Sequence, residues 1–126
     1  MKHFAFSCAV IFLILGLALW NAHDIERDIA PLCASLEQAR NDASAKDWGR
    51  VLSAVSEAAE DWHARYERMH YVIAHSQLDE ADCLFARLLS LAQAQDMPGF
   101  RAEAAELIAR LTDLAESQQL TLRNIL

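Results

Sequence analysis

The sequence predicts an all-α protein, an N-terminal transmembrane helix followed by a small antiparallel helical bundle of three to four helices. Three observations carry this expectation. Phe4 to Trp20 form an uncharged apolar run. Beyond it, apolar residues recur at spacings of three and four, the helical period. Only three Gly and two Pro occur in 126 residues, too few to turn the many strands of a sandwich or barrel. A chain of this length holds one folded domain at most. The expected division is a signal-anchor helix over residues 1–22 and an extracytoplasmic helical domain over 23–126.

The run FAFSCAVIFLILGLALW spans about 25 Å as a helix, a little short of a hydrocarbon core of about 30 Å. Asn21 and Ala22 extend it, Lys2 snorkels outward, and Trp20 stands where an interfacial aromatic belongs. A cleaved signal peptide is the competing reading, with Gly16 and Ala18 as the small-residue site. The bulky Trp20 and Asn21 that follow favour an uncleaved anchor. A lipoprotein is excluded, because Cys8 lies inside the run rather than after it. Lys2 precedes the run, whereas Asp24, Glu26, Arg27 and Asp28 follow it. This bias keeps the N-terminus cytoplasmic and the rest outside, in a single-pass protein of the cell membrane contacting the bilayer through residues 4–20.

The first bundle helix is read from Ile25, Ile29, Leu32, Leu36 and Ala39. Pro31 either kinks it or stands in the first turn of a helix starting near Ala30. Asn41 to Ser44 is the expected break. The second helix starts near Lys46 and ends near His75, on a stripe of Trp48, Val51, Leu52, Val55, Ala59, Trp62, Tyr66, Met69 and Ile73. These fall within an arc of about 100°. Ser44 followed by Asp47 resembles a capping box. The third helix starts at Ser76, with Leu78, Ala81, Leu84, Phe85, Leu88, Leu91 and Ala92 facing inward. Asp96-Met97-Pro98-Gly99 is the clearest break. The fourth helix follows with Phe100, Ala104, Leu107, Ile108, Leu111, Leu114 and Ala115, and Glu106 and Arg110 pair at i,i+4 on its solvent side. Leu120 to Leu126 is expected as a short separate segment packing back on the bundle, with a partner-docking tail as the alternative. No unit repeats at a fixed period. Short loops between amphipathic helices imply antiparallel neighbours.

These residues carry a resemblance. Trp62 in the middle helix, the junction His75-Ser76-Gln77-Leu78-Asp79 and the C-terminus Leu120 to Leu126 together resemble an uncharacterised bacterial family, the domain of unknown function numbered four-three-six-three. The resemblance covers nearly the whole chain and implies short proteins with one N-terminal span. It assigns no activity, so no functional residue is carried over. Cys33 and Cys83 depart from the family pattern.

Composition narrows the function. The hydrophobic share of 54% opposes disorder. Net charge is −7, and residues 23–126 carry 10 basic against 18 acidic side chains. Such a surface does not neutralise phosphates, which excludes nucleic acid. Glu60-x-x-His63 and Glu67-x-x-His70 each match the E-x-x-H pattern of carboxylate-bridged di-iron bundles. Those sites use it on two facing helices, whereas both copies here lie on one. His63 and His70 stand two turns apart, about 10.5 Å, too far to share a metal. They read as a solvated flank. Asp79-Glu80-Ala81-Asp82 spells a helicase motif without its phosphate loop, and reads as acids at a helix N-terminus. His70 and His75 are candidates to titrate near neutrality. Cys33 and Cys83 lie outside the membrane, where disulfides are permitted, and Cys83 projects away from its helix's stripe. No nucleophile elbow, Cys/His signature or phosphate loop is present. The expectation is a non-enzymatic protein without cofactor that binds or scaffolds an unknown protein partner, or self-associates, at the envelope. Trp48, Leu120, Leu122, Ile125 and Leu126 are its candidate interaction residues. The alternative is a metal- or redox-linked module using His63, Glu67, His70 or Cys33 and Cys83.

Overall fold

The computed structural model describes residues 1–71 and 73–125, with side-chain detail at all of these except 21, 22, 119, 121, 122 and 125. Four helices make up the described chain: α1 (Lys2–Ser44), α2 (Trp48–Met69), α3 (His75–Gln93) and α4 (Met97–Ile125). Each packs side by side against two neighbours in the cyclic order α1, α2, α3, α4, and the diagonal helices α2 and α4 meet through Trp48 and Phe100. Short connections make neighbours antiparallel, giving an up-down-up-down bundle.

Helix α1 departs from expectation. The apolar segment and the first bundle helix form one continuous helix of 43 residues, about 65 Å long at 1.5 Å per residue. Pro31 neither starts nor ends it. Proline removes the N–H that would reach the carbonyl of Arg27, but it is exposed, so water can satisfy that carbonyl. Asn41 to Ser44 is the last turn of α1 rather than a break.

The two turns at the distal end share one construction. After α1, Lys46 takes φ 60°, the Lys46 N–H donates to the Ala43 carbonyl and the Asp47 N–H to that of Asp42. After α3, Gln95 takes φ 55°, donating to Ala92, while the Asp96 N–H donates to Leu91. Both are Schellman closures with a non-glycine residue in the left-handed position. Each leads into an aspartate N-cap. Asp47 accepts from the Arg50 N–H at 3.4 Å, and Asp96 from the Gly99 N–H at 3.1 Å. Ser44 is not the cap of α2, because its hydroxyl donates to the Arg40 carbonyl. A Cβ at Gly99 would stand 2.7 Å from Asp96 Oδ2, so a larger residue there would displace the cap.

These turns mark a repeat that composition conceals. Asp47 and Asp96 are 49 positions apart, and the same offset relates buried residues of the two hairpins. Ile29 maps to Leu78, Leu36 to Phe85, Ala43 to Ala92, Val51 to Phe100 and Trp62 to Leu111, all buried. Volumes match at Ile29/Leu78 and Ala43/Ala92 and differ at the other three pairs. The inward positions therefore repeat where the sequence does not.

The core runs along the axis and centres on Trp62, which is fully buried and stacks on Phe85 at 5.8 Å between ring centroids. The expected inward faces are met with few changes. Trp48, Leu52, Ala59, Tyr66, Leu91 and Ile108 are only partly buried, and Ala58 takes a core place. Helix α2 begins at Trp48 and ends at Met69, shorter at both ends than expected, and α3 begins at His75. The C-terminal residues are no separate segment, because α4 continues through Ile125. Replacing Trp62 by Ala is expected to cost about 3–5 kcal/mol, read as a lowered denaturation midpoint. Asp96→Ala, which removes one cap, is expected to cost about 1 kcal/mol by the same measurement.

Candidate functional site

Helix α2 carries the polar flank where the sequence places its chemistry. His63 faces α3, with Nδ1 3.5 Å from Asp82 Oδ1. Tyr66 lies one turn on and donates its hydroxyl to Asp79 at 2.8 Å. That hydrogen bond, with the Asp79 and Asp82 carboxylates beside it, holds the tyrosine pKa above its ordinary 10. Glu67 is exposed. His70 caps the C-terminus of α2, and its ring lies 4.0 Å from that of Tyr71 and 5.7 Å from that of His75. The structure thus separates the expected metal candidates. His63 turns to an aspartate on α3, and His70 joins an aromatic group at the connection into that helix. Among the described residues no three His, Cys, Asp or Glu side chains are grouped to hold a metal.

The cysteines are also apart. Cys33 stands on α1 and Cys83 on α3, helices diagonal to one another, and both thiols are free. Cys33 borders a groove of about 360 Å³ between α1 and α4, lined by Glu26, Ile29, Ala30, Thr112, Ala115 and Glu116. Its Sγ lies 4.0 Å from Thr112 Oγ1. Burial pushes the thiol pKa up from 9.0, with the Thr112 contact opposing and the Glu37 carboxylate adding to it. Cys83 is exposed.

Among the candidate interaction residues, Trp48 is half-buried at the distal end and meets Phe100 edge-on at 5.9 Å. Leu120 is exposed on α4. Leu122, Ile125 and Leu126 lie outside the described side chains.

Ion pairs that local spacing does not reveal join the helices. Asp28 of α1 accepts from Arg65 of α2 and lies 3.6 Å from Arg68. Arg110 of α4 reaches Glu80 of α3 at 3.1 Å, closer than its own-helix partner Glu106 at 3.9 Å. Arg87 of α3 pairs with Glu103 of α4 at 3.4 Å. Positions 28 and 65, on different helices, have no sequence spacing to signal them; only the folded α1–α2 hairpin brings them together.

A family model described as Domain of unknown function (DUF4363) matches residues 19–125. The chain belongs to this family, as the short motifs suggested. Neither a curated protein nor a solved structure matches it.

A thiol reagent at neutral pH is expected to modify Cys83 first and Cys33 much more slowly. The raised Cys33 pKa lowers its thiolate fraction, so its rate should continue to climb at pH values above 9. Mass-resolved alkylation kinetics across pH check both points.

Proposed function

We propose that this family member is a membrane-anchored protein whose extracytoplasmic helical bundle binds or scaffolds a partner at the cell envelope without catalysing a reaction. One observation carries the reading. The helix that begins as an uncharged apolar segment, with a mean hydropathy of 2.2 over 18 residues and none of that window buried, ends as a wall of the bundle core. An apolar segment left entirely uncovered calls for a hydrocarbon environment. Its helical continuity holds the bundle at a set height above that environment, as a display platform requires. The basic residue Lys2 before the segment and the acids after it support the outward orientation.

The packed surfaces of the bundle support the non-catalytic part. Every buried side chain among the described residues is apolar, so its polar chemistry lies on outer faces, where partners are met rather than substrates enclosed.

Cys83 supplies a built-in test of orientation. In intact cells a membrane-impermeant maleimide should label it, and Cys83→Ala should remove the fast phase of that labelling, leaving only the slow reaction of Cys33. Modification only after lysis would put the bundle on the cytoplasmic side and overturn the reading. Partner binding is tested by a photoreactive residue placed in turn at exposed Gln38, Glu60, Ser90 and Arg101 of the full-length chain. Adducts confined to one face are expected, and recovery of the unmodified chain from all four would remove the scaffolding role.

A further inference from the structure

The large apolar side chains that stand exposed are distributed unevenly. All but two lie within residues 1–20. Beyond Trp20, only Tyr71, 82% exposed, and Leu120, 54% exposed, remain among the described residues. They come from different elements, the α2–α3 connection and the last turns of α4. Isolated exposed apolar residues need no explanation. Two that converge at one end of a bundle do.

Cross-helix contacts fix their height. Cys33 touches Thr112, so on antiparallel helices Leu120, eight residues beyond Thr112, lies level with the residue eight before Cys33, which is Ile25. Asp28 pairs with both Arg65 and Arg68, and Tyr71, six and three residues beyond them, comes level with residues 22 to 25. Trp20 is five residues below Ile25, about 7–8 Å along α1. Helix α4 continues another five residues past Leu120 to Ile125, which brings its end level with Trp20. A headgroup layer is about 5–7 Å thick on each side of the hydrocarbon core. With Trp20 at the hydrocarbon boundary, Leu120 stands at the outer edge of the headgroups, Tyr71 at or within that edge, and the end of α4 within them.

We propose that the base of the bundle is a lipid-contacting surface. The α2–α3 connection, through Tyr71, and the C-terminal turns of α4, through Leu120, rest on the interfacial layer of the bilayer that α1 crosses. This deepens the proposed function and rests on its membrane span. The occupant is the bilayer interface because both elements stand within about one headgroup thickness of that span, and no separate partner needs to be brought there. Tyrosine suits the position, with an apolar ring and a hydroxyl that stays hydrated. Arg68 and Arg123, both exposed at this end, can reach lipid phosphates. Asp24, Glu26 and Glu67 share the same end, so net positive charge is not what holds it. The contact is chiefly interfacial and apolar, and persists on zwitterionic lipid.

The test uses the full-length chain in phosphatidylcholine vesicles, with Cys8, Cys33 and Cys83 replaced by Ala. A nitroxide is attached at Ile14→Cys, Tyr71→Cys, Leu120→Cys or Arg50→Cys in turn. Collision with oxygen against collision with a water-soluble nickel complex reports depth. The ratio at positions 71 and 120 is expected to exceed that at distal position 50 several-fold, with position 14 higher still. A ratio at 71 and 120 equal to that at 50, while 14 reads as buried in lipid, would overturn the inference and leave the anchor intact. Low collision with both reagents at 71 and 120 would mean a protein contact, a partner or a second copy, and would overturn it as well. A water-exposed position 14 would remove the span itself, and the inference with it.

Discussion

The continuity of α1 is the constraint on which the rest of the structure depends. A helix that joins an uncovered apolar segment to a packed core transmits position as well as attachment. Had a flexible linker intervened, the bundle's height and orientation would be free variables. With Ile25, Ile29, Leu32, Leu36, Ala39 and Ala43 committed to the core, the direction in which Trp20 and the residues before it leave the bundle follows from helical geometry. Pro31 lies within this rod at an exposed position, where the carbonyl it strands can be hydrated, and so the helix passes through it.

Around that rod the bundle is two hairpins built on one plan. The offset of 49 residues that relates Asp47 to Asp96 also relates Ala43 to Ala92 and Trp62 to Leu111. The hairpins are not copies in volume. Where one presents Trp62 the other presents Leu111, and where one presents Leu36 the other presents Phe85. A larger residue at one position of the pair stands with a smaller one at the other, which keeps the summed core volume near what interior density requires. Two of the largest core side chains meet across the hairpins, Trp62 stacking on Phe85. Its indole N–H has no partner in that apolar setting, which indicates that ring area rather than hydrogen bonding holds it there.

Much of this was legible in the sequence, for a definite reason. Stripes such as Val51, Val55 and Trp62 are amphipathic with the helical period, so period alone finds the helix and its inward face. The errors arose where local signals compete. Ser44 and Asp47 are both good N-caps, and the choice between them depends on the Schellman closure through Lys46, which periodicity does not register. The polar Ser117, Gln118 and Gln119 interrupt the α4 stripe and suggest an ending, yet the helix continues because its backbone bonds need no apolar face. The E-x-x-H pairs were seen, but not that His63 turns to Asp82. Side-chain partners on another helix have no spacing in the chain. The same holds for Asp28 with Arg65, and for the levelling of Tyr71 with Leu120.

Those cross-helix pairs have a role that their strength does not suggest. Exposed ion pairs contribute about 0–1 kcal/mol each, so Arg87 with Glu103 or Arg110 with Glu80 does not hold the bundle together. Leu and Ala stripes, however, tolerate sliding by one helical turn, since similar residues then meet similar residues. A single charge pair marks one register, because a shift of about 5.4 Å separates its groups, though at a cost no larger than the pair itself. Asp28 acts differently, by clamping two successive turns of α2 to α1. Its carboxylate is half-buried between α1 and α2 and holds two arginines, close to where α1 leaves the core. Losing register there would tilt the base of the bundle relative to the apolar segment. The pairing thus acts on the same variable that the unbroken α1 sets, the attitude of the bundle relative to the apolar segment.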